Sequence, residues 1–307
     1  MEYRHLGTSG MEVSAIGLGC NSFGADVDEA GAASILYRCL DLGITFFDTA
    51  PMYGDGASEE MIGRALDGAR RHDALIATKA ASRAEGASLK KVTESLEVSL
   101  RKLRTDCIDL FQIHAPDPNT PIEETMYCLD RIVREGKARY AGCSNYPAWR
   151  ISEANWVART CHFPPFVSVQ SEYNLLNRSL DQDVVPFCRH TGVGIIPFYP
   201  LAAGFLTGKY RPGEPPPPGT RATTSRFSPK WMTDRNFAAV DRLTEFAEKR
   251  GHPVAELAIA WLMAQPAVST VIVGARRPEQ VEANAKAVDW KLTADELAEI
   301  DGLLAND

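Results

Sequence analysis

The sequence predicts an α/β protein built as a (β/α)8 barrel, the TIM-barrel architecture, and two observations support this. Eight short apolar runs recur along the 307-residue chain, and most segments between them have the apolar spacing of amphipathic helices. Near-continuous apolar strands that alternate with helices are typical of a parallel sheet covered by helices. Eight such units favour a closed barrel over an open, doubly wound sheet, and residues 1–307 are expected to form a single domain.

The elements are expected in the following order. Two short strand-like pieces on either side of residues 7–10 predict a β-hairpin ahead of the barrel. The eight barrel strands are predicted at Ala15–Leu18, Ile44–Phe47, Leu75–Thr78, Ile108–Ile113, Ala138–Cys143, Val167–Val169, Gly194–Pro197 and Thr270–Val273. Several helices carry start signals, namely Ser88, the Thr120-Pro121 pair followed by Glu123 and Glu124, and Pro278 after Arg277.

The alternation breaks once, between Phe198 and Ser269. A proline-rich stretch at residues 212–220 precedes two helices expected at 234–250 and 253–264. Taken alone, a run of prolines is typical of a solvated linker. In a compact barrel, a long loop that follows a strand more often covers the functional site, so we expect covering loops in the C-terminal part of the chain.

The composition narrows the classes of partner. A formal charge of −7 argues against nucleic acid or an anionic membrane as the main partner. The first residues lack a signal peptide's apolar segment, and no uncharged apolar run reaches the roughly 18 residues of a membrane span. A cytoplasmic location is therefore expected. Seven cysteines without a Cys-x-x-Cys pair indicate reduced thiols and no metal site. The sequence leaves the oligomeric state open.

Polar or aromatic side chains stand where six of the predicted strands end. In a barrel of this kind, functional residues lie at the carboxyl ends of the strands. In chain order these residues are Asp48, Lys79, His114, the Ser144-Asn145 pair, Gln170 and the Phe198-Tyr199 pair. Tyr53 follows Asp48 in a loop marked by proline and glycine.

Each of these residues also has an ordinary structural interpretation. Asp48 could cap the helix that starts near Ser58, with Tyr53 a half-buried aromatic residue. Lys79 could be a solubility charge, and a lone histidine such as His114 is more often a hydrogen-bonded core residue. Asp48, Tyr53, Lys79 and His114 nevertheless come from three adjacent strand ends, so the barrel would bring them into one small volume. Together they would form a proton-transfer site.

The chemistry of such a site follows from its residue types. A free tyrosine has a pKa of ~10 and is a poor acid near neutrality, but a buried ammonium nearby, that of Lys79, is expected to lower the pKa of Tyr53. Asp48 would keep Lys79 charged and oriented. His114 would donate a hydrogen bond to a substrate oxygen or share the proton with Tyr53. The sequence contains no activated serine or cysteine elbow, so covalent catalysis is not indicated.

Ordered motifs from about Tyr3 to about Leu304 closely resemble the aldo-keto reductase superfamily. The motifs are Asp48-Thr49-Ala50 with Tyr53-Gly54, Thr78-Lys79, Gln112-Ile113-His114, Gly142-Cys143-Ser144-Asn145, Pro200-Leu201-Ala202 with Leu206-Thr207-Gly208-Lys209, and Gly274-Ala275-Arg276 with Gln280 and Asn284. The resemblance implies a barrel that binds NADP(H) beneath C-terminal cofactor-covering loops. It also implies reduction of a small aldehyde or ketone, with Tyr53 as general acid and Asp48, Lys79 and His114 in support.

The resemblance further implies a set of cofactor contacts. Ser144, Asn145 and Gln170 match residues that hold the nicotinamide carboxamide, and Phe198 would stack on the nicotinamide ring. The pyrophosphate-side loop corresponds to Tyr199, Pro200, Leu201, Ala202, Gly204 and Lys209. The adenine and 2′-phosphate end corresponds to Gly274, Arg276, Gln280 and Asn284. Cys20 and Asn21 would lie near the nicotinamide and the substrate, where Asn21, Met52, Trp149 and Tyr199 are candidates for shaping specificity.

Two departures from the family pattern affect expected cofactor contacts. Phe198-Tyr199 replaces the usual Tyr-Ser pair before the Pro-Leu-Ala motif, so a donor to the pyrophosphate is lost or replaced by Tyr199. Ala283 replaces a glutamate beside Asn284, which puts one adenine contact in doubt. The early Gly17-x-Gly19 lacks the third glycine and the acidic residue of a dinucleotide-binding βαβ unit.

A second function class is compatible with the same barrel. Some members of this superfamily serve as cofactor-binding accessory subunits of membrane channels, so the chain could be an NADPH-binding or redox-sensing subunit with slow turnover. The complete set of four catalytic residues and the lack of an extended amino-terminal segment favour an enzyme.

Overall fold

The strands of the computed structural model form a hairpin and a barrel. The structure describes residues 1–223 and 229–305. Strands β1 (Tyr3–His5) and β2 (Glu12–Ser14) pair antiparallel in the predicted hairpin. In the described residues, the barrel strands are β3 (Ile16–Gly19), β4 (Phe46–Asp48), β5 (Leu75–Ala80), β6 (Ile108–Ile113), β7 (Ala138–Ser144), β8 (Phe166–Glu172), β9 (Gly194–Phe198) and β10 (Val271–Gly274).

The eight barrel strands described by the structure form one parallel sheet in the order β10-β3-β4-β5-β6-β7-β8-β9. The two outer strands meet through an isolated parallel bridge between Ile195 and Val268. The Ile195 amide donates to the Ala267 carbonyl at 2.8 Å, and the Ser269 amide donates to the Ile195 carbonyl at 3.0 Å. The residues just before β10 therefore bring the sheet round into a barrel, and the predicted fold class is confirmed.

Helices follow the strands around the outside of the barrel. They are α1 (Glu29–Asp41), α2 (Ala57–Ala65), α3 (Leu89–Leu103), α4 (Ile122–Arg134), α5 (Ala148–Cys161), α6 (Val184–Thr191), α7 (Asp234–Glu248), α8 (Val254–Met263), α9 (Pro278–Ala285) and α10 (Ala294–Ala305). The start signals agree with the structure, since α4 begins directly after Pro121 and Pro278 is the first residue of α9. Among helices in the described ranges, none combines the length and apolarity that a membrane crossing requires.

The hairpin closes the amino-terminal end of the barrel with apolar side chains. Leu6, Met11 and Val13 belong to one buried cluster with strand residues that point into the barrel, namely Phe46, Ala77, Leu110, Ile196 and Ile272. Successive side chains of a strand alternate between the two faces, so the residue two positions later points inward again. Below the carboxyl end the barrel is therefore a packed core, and its next inward layer contains Asp48, Lys79 and Gln112.

Several strands extend further than the sequence predicts, and this places polar residues inside them. β5 runs to Ala80 and includes Lys79, and β8 runs to Glu172 and includes Gln170. These two polar side chains are tolerated there because each forms a hydrogen bond with Asp48. The proline-rich loop supplies Pro218, Gly219 and Thr220 to the wall of the large cavity at this end, although residues 224–228 of the predicted covering segment lie outside the described residues.

Candidate active site

A cavity of about 800 Å³ opens at the carboxyl ends of the barrel strands. Residues from five of the six predicted strand ends and from the loops beyond them form its walls. The predicted site residues that line it are Asn21, Asp48, Met52, Tyr53, His114, Ser144, Asn145, Gln170, Phe198, Tyr199, Pro200, Leu201, Gly204, Lys209, Gly274, Arg276 and Gln280. The barrel thus brings together the two ends of the predicted site, with Tyr53 and His114 in one group and Lys209 and Arg276 in the other.

Asp48 and Lys79 form a buried ion pair beneath this cavity. The Lys79 ammonium lies 2.8 Å from each carboxylate oxygen of Asp48 and 2.8 Å from the carbonyl oxygen of Thr49. The two side chains are 4% and 0% exposed, respectively. Burial alone would lower the pKa of Lys79, but the Asp48 carboxylate and the Tyr53 side chain raise it above its ordinary value. Lys79 is therefore a fixed cation, and Asp48 does not serve as the cap of α2, which begins after Gly56.

Tyr53 lies at the cavity wall beside this cation. Its hydroxyl is 3.5 Å from the Lys79 ammonium, a long hydrogen bond, and the ammonium is 5.1 Å from the ring centroid. Burial raises the pKa of Tyr53, and the opposing effect of the Lys79 charge does not reverse that shift. The expectation that Lys79 lowers the pKa of Tyr53 below its ordinary value is therefore wrong, because desolvation outweighs a cation already committed to Asp48.

His114 faces Tyr53 across the same corner of the cavity. The two rings meet edge to face, with centroids 6.4 Å apart. Burial and the nearby Lys79 charge lower the pKa of His114 from 6.5 to about 4. The imidazole is therefore neutral at pH 7, so it is able to donate one N–H but does not carry a second proton to share with Tyr53.

Two glutamine amides complete the hydrogen bonding of Asp48. Gln170 donates to Asp48 Oδ1 at 2.7 Å, and Gln112 donates to the same oxygen at 3.4 Å. Gln112 was not predicted to have a role in the site, although its inward position two residues before His114 was a usable signal.

The side chain of Asn145 links two neighbouring strand ends. It donates to the His114 carbonyl and to Ser144 Oγ, both at 3.0 Å.

The loop after β9 has an unusual backbone where it forms the cavity wall. Tyr199, Ala202 and Ala203 have φ values of 54°, 47° and 56°, in the left-handed region that is strained for residues with a side chain. Gly204 has a φ of 96°, and a Cβ at that position would lie 3.3 Å from the ammonium of Lys209. The chain thus holds a tight backbone turn against a lysine, a combination suited to an anionic group.

β10, the last strand of the barrel, leads into a second basic group at the other end of the cavity. Arg276 and Arg277 line the wall just before α9. The guanidinium of Arg276 binds Asp26 at 2.8 Å and the Gly219 carbonyl at 3.1 Å, while its amide donates to Gln280 at 2.7 Å. Asp26 was not predicted as a site residue, because its partner Arg276 is 250 positions away in the sequence and no local pattern connects the two. Its place in the loop after the first barrel strand was the available signal.

Besides the buried Lys79, four predicted residues lie outside the cavity wall. Cys20 is fully buried, and its thiol contacts the Leu18 carbonyl at 3.8 Å. Ala202 is also fully buried, Asn284 is half-buried on α9 and does not line the cavity, and Trp149 is 64% exposed on α5. Their assigned roles toward a cofactor or substrate stay predictions.

The arrangement near Tyr53 has the parts of a proton donor. A protonated phenol faces the cavity, a fixed ammonium lies behind it, and a neutral imidazole stands beside it. Such a group can protonate an oxygen on which negative charge develops, because the ammonium stabilises the phenolate left behind. Within residues 1–223 and 229–305, no cluster of three or more potential metal ligands is present.

Comparisons with known proteins find similar sequences over nearly the whole chain. The family model described as "Aldo/keto reductase family" matches residues 15–305. A probable voltage-gated potassium channel subunit beta from Arabidopsis thaliana is 36% identical over 94% of this chain and 92% of its own length. An uncharacterized oxidoreductase from Bacillus subtilis is 35% identical over 95% and 92% of the two chains. The L-glyceraldehyde 3-phosphate reductase of Escherichia coli is 36% identical over 100% and 93%.

Proposed function

Because the chain belongs to the aldo/keto reductase family, we propose that it is an NADPH-dependent oxidoreductase that reduces an aldehyde or ketone. The observation that carries the proposal is the contact between the buried Lys79 ammonium, the Asp48 carboxylate and the Tyr53 hydroxyl at the wall of one large cavity. The same chemistry run in reverse would oxidise an alcohol.

Tyr53 is proposed as the general acid. When bound, the reduced nicotinamide supplies a hydride to the carbonyl carbon, and negative charge then develops on the carbonyl oxygen. The raised pKa of Tyr53 keeps its phenol protonated at neutral pH, so a proton is available for that oxygen. Lys79, which Asp48 holds charged, stabilises the phenolate as it forms, and neutral His114 donates a hydrogen bond that orients the carbonyl.

The walls of the cavity also fit an extended dinucleotide. Phe198 presents a ring to the cavity at the end of β9, where it would stack on the nicotinamide. Lys209 and the strained turn around Gly204 provide charge and backbone for a pyrophosphate. Arg276 stands at the start of α9, where a guanidinium gives directed donors to a 2′-phosphate, and this supports NADPH over NADH.

A panel of aldehydes, ketones and sugars, tested with NADPH by the loss of absorbance of the reduced cofactor, tests the proposed activity. Sustained turnover with at least one carbonyl compound would support it. Tight NADPH binding without turnover on any member of a broad panel would count against it.

A second candidate function is an NADPH-binding accessory subunit with slow turnover. It is favoured by relatives named as voltage-gated potassium channel beta subunits, which are 35–36% identical over 94–98% of this chain. A single burst of NADPH oxidation that stops after one equivalent would favour this candidate over the enzyme.

A cytoplasmic location and a single domain over residues 1–307 are further parts of the proposed function.

A further inference from the structure

The guanidinium of Arg276 has partners in two different loops. Its guanidinium donates to Asp26, in the loop that follows β3, and to the Gly219 carbonyl, in the proline-rich loop. All three residues line the large cavity. Arg276 therefore ties two loops together across the end of the cavity where the proposed function puts the adenosine of the cofactor.

The ion pair between Arg276 and Asp26 is open enough to exchange partners. The two side chains are 28% and 39% exposed, and the shortest distance between their charged groups is 2.8 Å. Partly exposed pairs of this kind are weak because water screens them, so an incoming dianion is able to replace the carboxylate. The Asp48–Lys79 pair, which is almost fully buried, offers no such exchange.

The two cofactors would meet Asp26 differently. A 2′-phosphate that reaches Arg276 must displace the Asp26 carboxylate or lie close to it, and like charges at that separation repel. NADH carries a neutral 2′-hydroxyl at this position, which needs no cation and for which a carboxylate is a suitable hydrogen-bond acceptor. Asp26 therefore opposes the phosphorylated cofactor without opposing the other one.

We propose that Asp26 is a specificity-determining residue that competes with the 2′-phosphate of NADPH for Arg276. The inference rests on the proposed dinucleotide binding and adds to it a residue that limits the preference for NADPH. Removal of the negative charge should tighten NADPH binding and leave NADH binding nearly the same. The effect should be larger at low salt, because the pair is partly exposed.

Fluorescence titration of the Asp26→Asn protein with NADPH and NADH tests the proposal. The dissociation constant for NADPH should fall about two- to fivefold and that for NADH should change less than about twofold, in line with the strength of a partly exposed charge pair. Asp67→Asn is the matched control, since Asp67 forms an exposed pair with Arg104 and does not line the cavity. It removes the same charge and should change neither constant. Thermal melting shows whether each variant is folded.

The Arg276→Ala background decides whether Asp26 acts through Arg276. Competition predicts that Asp26→Asn has little effect on NADPH binding once Arg276 is absent. An undiminished gain in that background, an equal gain for both cofactors, or no gain for NADPH in Asp26→Asn would overturn the inference. Failure of the wild-type protein to bind either cofactor would instead overturn the proposed function, so the two failures are distinguishable.

Discussion

Replacement of Lys79 by methionine tests the buried ion pair beneath the candidate site. The substitution keeps most of the side-chain volume but removes a cation that makes three contacts of 2.8 Å. Loss of one partner of a buried pair costs about 3–5 kcal/mol, because the remaining charge is left buried and unpaired. Asp48 would keep the Gln170 amide at 2.7 Å, so we expect a loss near the lower limit, about 3 kcal/mol of unfolding free energy.

Urea unfolding at pH 7, followed by circular dichroism, measures this loss. The Asp48→Asn, Lys79→Met double variant has no buried charge at this position and should recover at least about 1 kcal/mol of it. Lys90→Met is the control, because the Lys90–Glu94 pair is 80% and 56% exposed, and it should change the free energy by less than about 0.5 kcal/mol. A Lys79→Met protein as stable as the wild type, or a double variant no more stable than the single one, would refute this account of the pair.

Three further predictions concern acid stability, cofactor choice and helix packing. The lowered pKa of His114 means that its neutral form contributes stability that is complete above pH 6.5 and is lost as the pH falls toward 4. Between pH 7 and pH 4 the unfolding free energy of the wild type should therefore fall by about 3 kcal/mol more than that of His114→Gln. Equal losses in the two proteins would contradict the lowered pKa. Arg276→Ala should weaken NADPH binding by roughly 1–3 kcal/mol in a titration and spare NADH; an equal loss for both would exclude a 2′-phosphate contact. Gly63→Ala would put a Cβ 2.3 Å from the Lys102 carbonyl oxygen and should lower the unfolding free energy measured in urea by about 2 kcal/mol or more. Gly302→Ala, which has open space around its Cβ, should instead raise the unfolding free energy by up to about 1 kcal/mol. Similar effects of the two substitutions would contradict this packing.

The barrel and its paired charges were predictable because they depend on local patterns and on strand alternation. Eight apolar runs predict eight strands, and the pairing of Asp48 with Ala77 in adjacent strands leaves Lys79 on the same inward face two residues later. The contact between Asp48 and Lys79 therefore follows once the barrel is assumed. The exact strand ends did not follow, because the inward polar residues Lys79 of β5 and Gln170 of β8 are stabilised by Asp48 on a different strand and not by their own local sequence.

Other features of the site depend on tertiary packing that a single sequence does not contain. The raised pKa of Tyr53 reflects the balance between burial and the Lys79 charge, and only the folded structure gives the degree of burial. The Asp26–Arg276 pair joins residues 250 positions apart through two loops with no regular periodicity. The family resemblance makes Cys20 a pocket candidate, whereas its side chain is fully buried in the core.

The most direct test of the central proposal is the turnover of Tyr53→Phe with saturating NADPH and the best carbonyl substrate of the panel. The variant keeps the ring beside Lys79 and removes only the hydroxyl group whose proton the proposed mechanism transfers. Turnover should fall by ~10² or more while the dissociation constant for NADPH changes less than about twofold. Turnover within about threefold of the wild type would contradict the assignment of Tyr53 as the general acid.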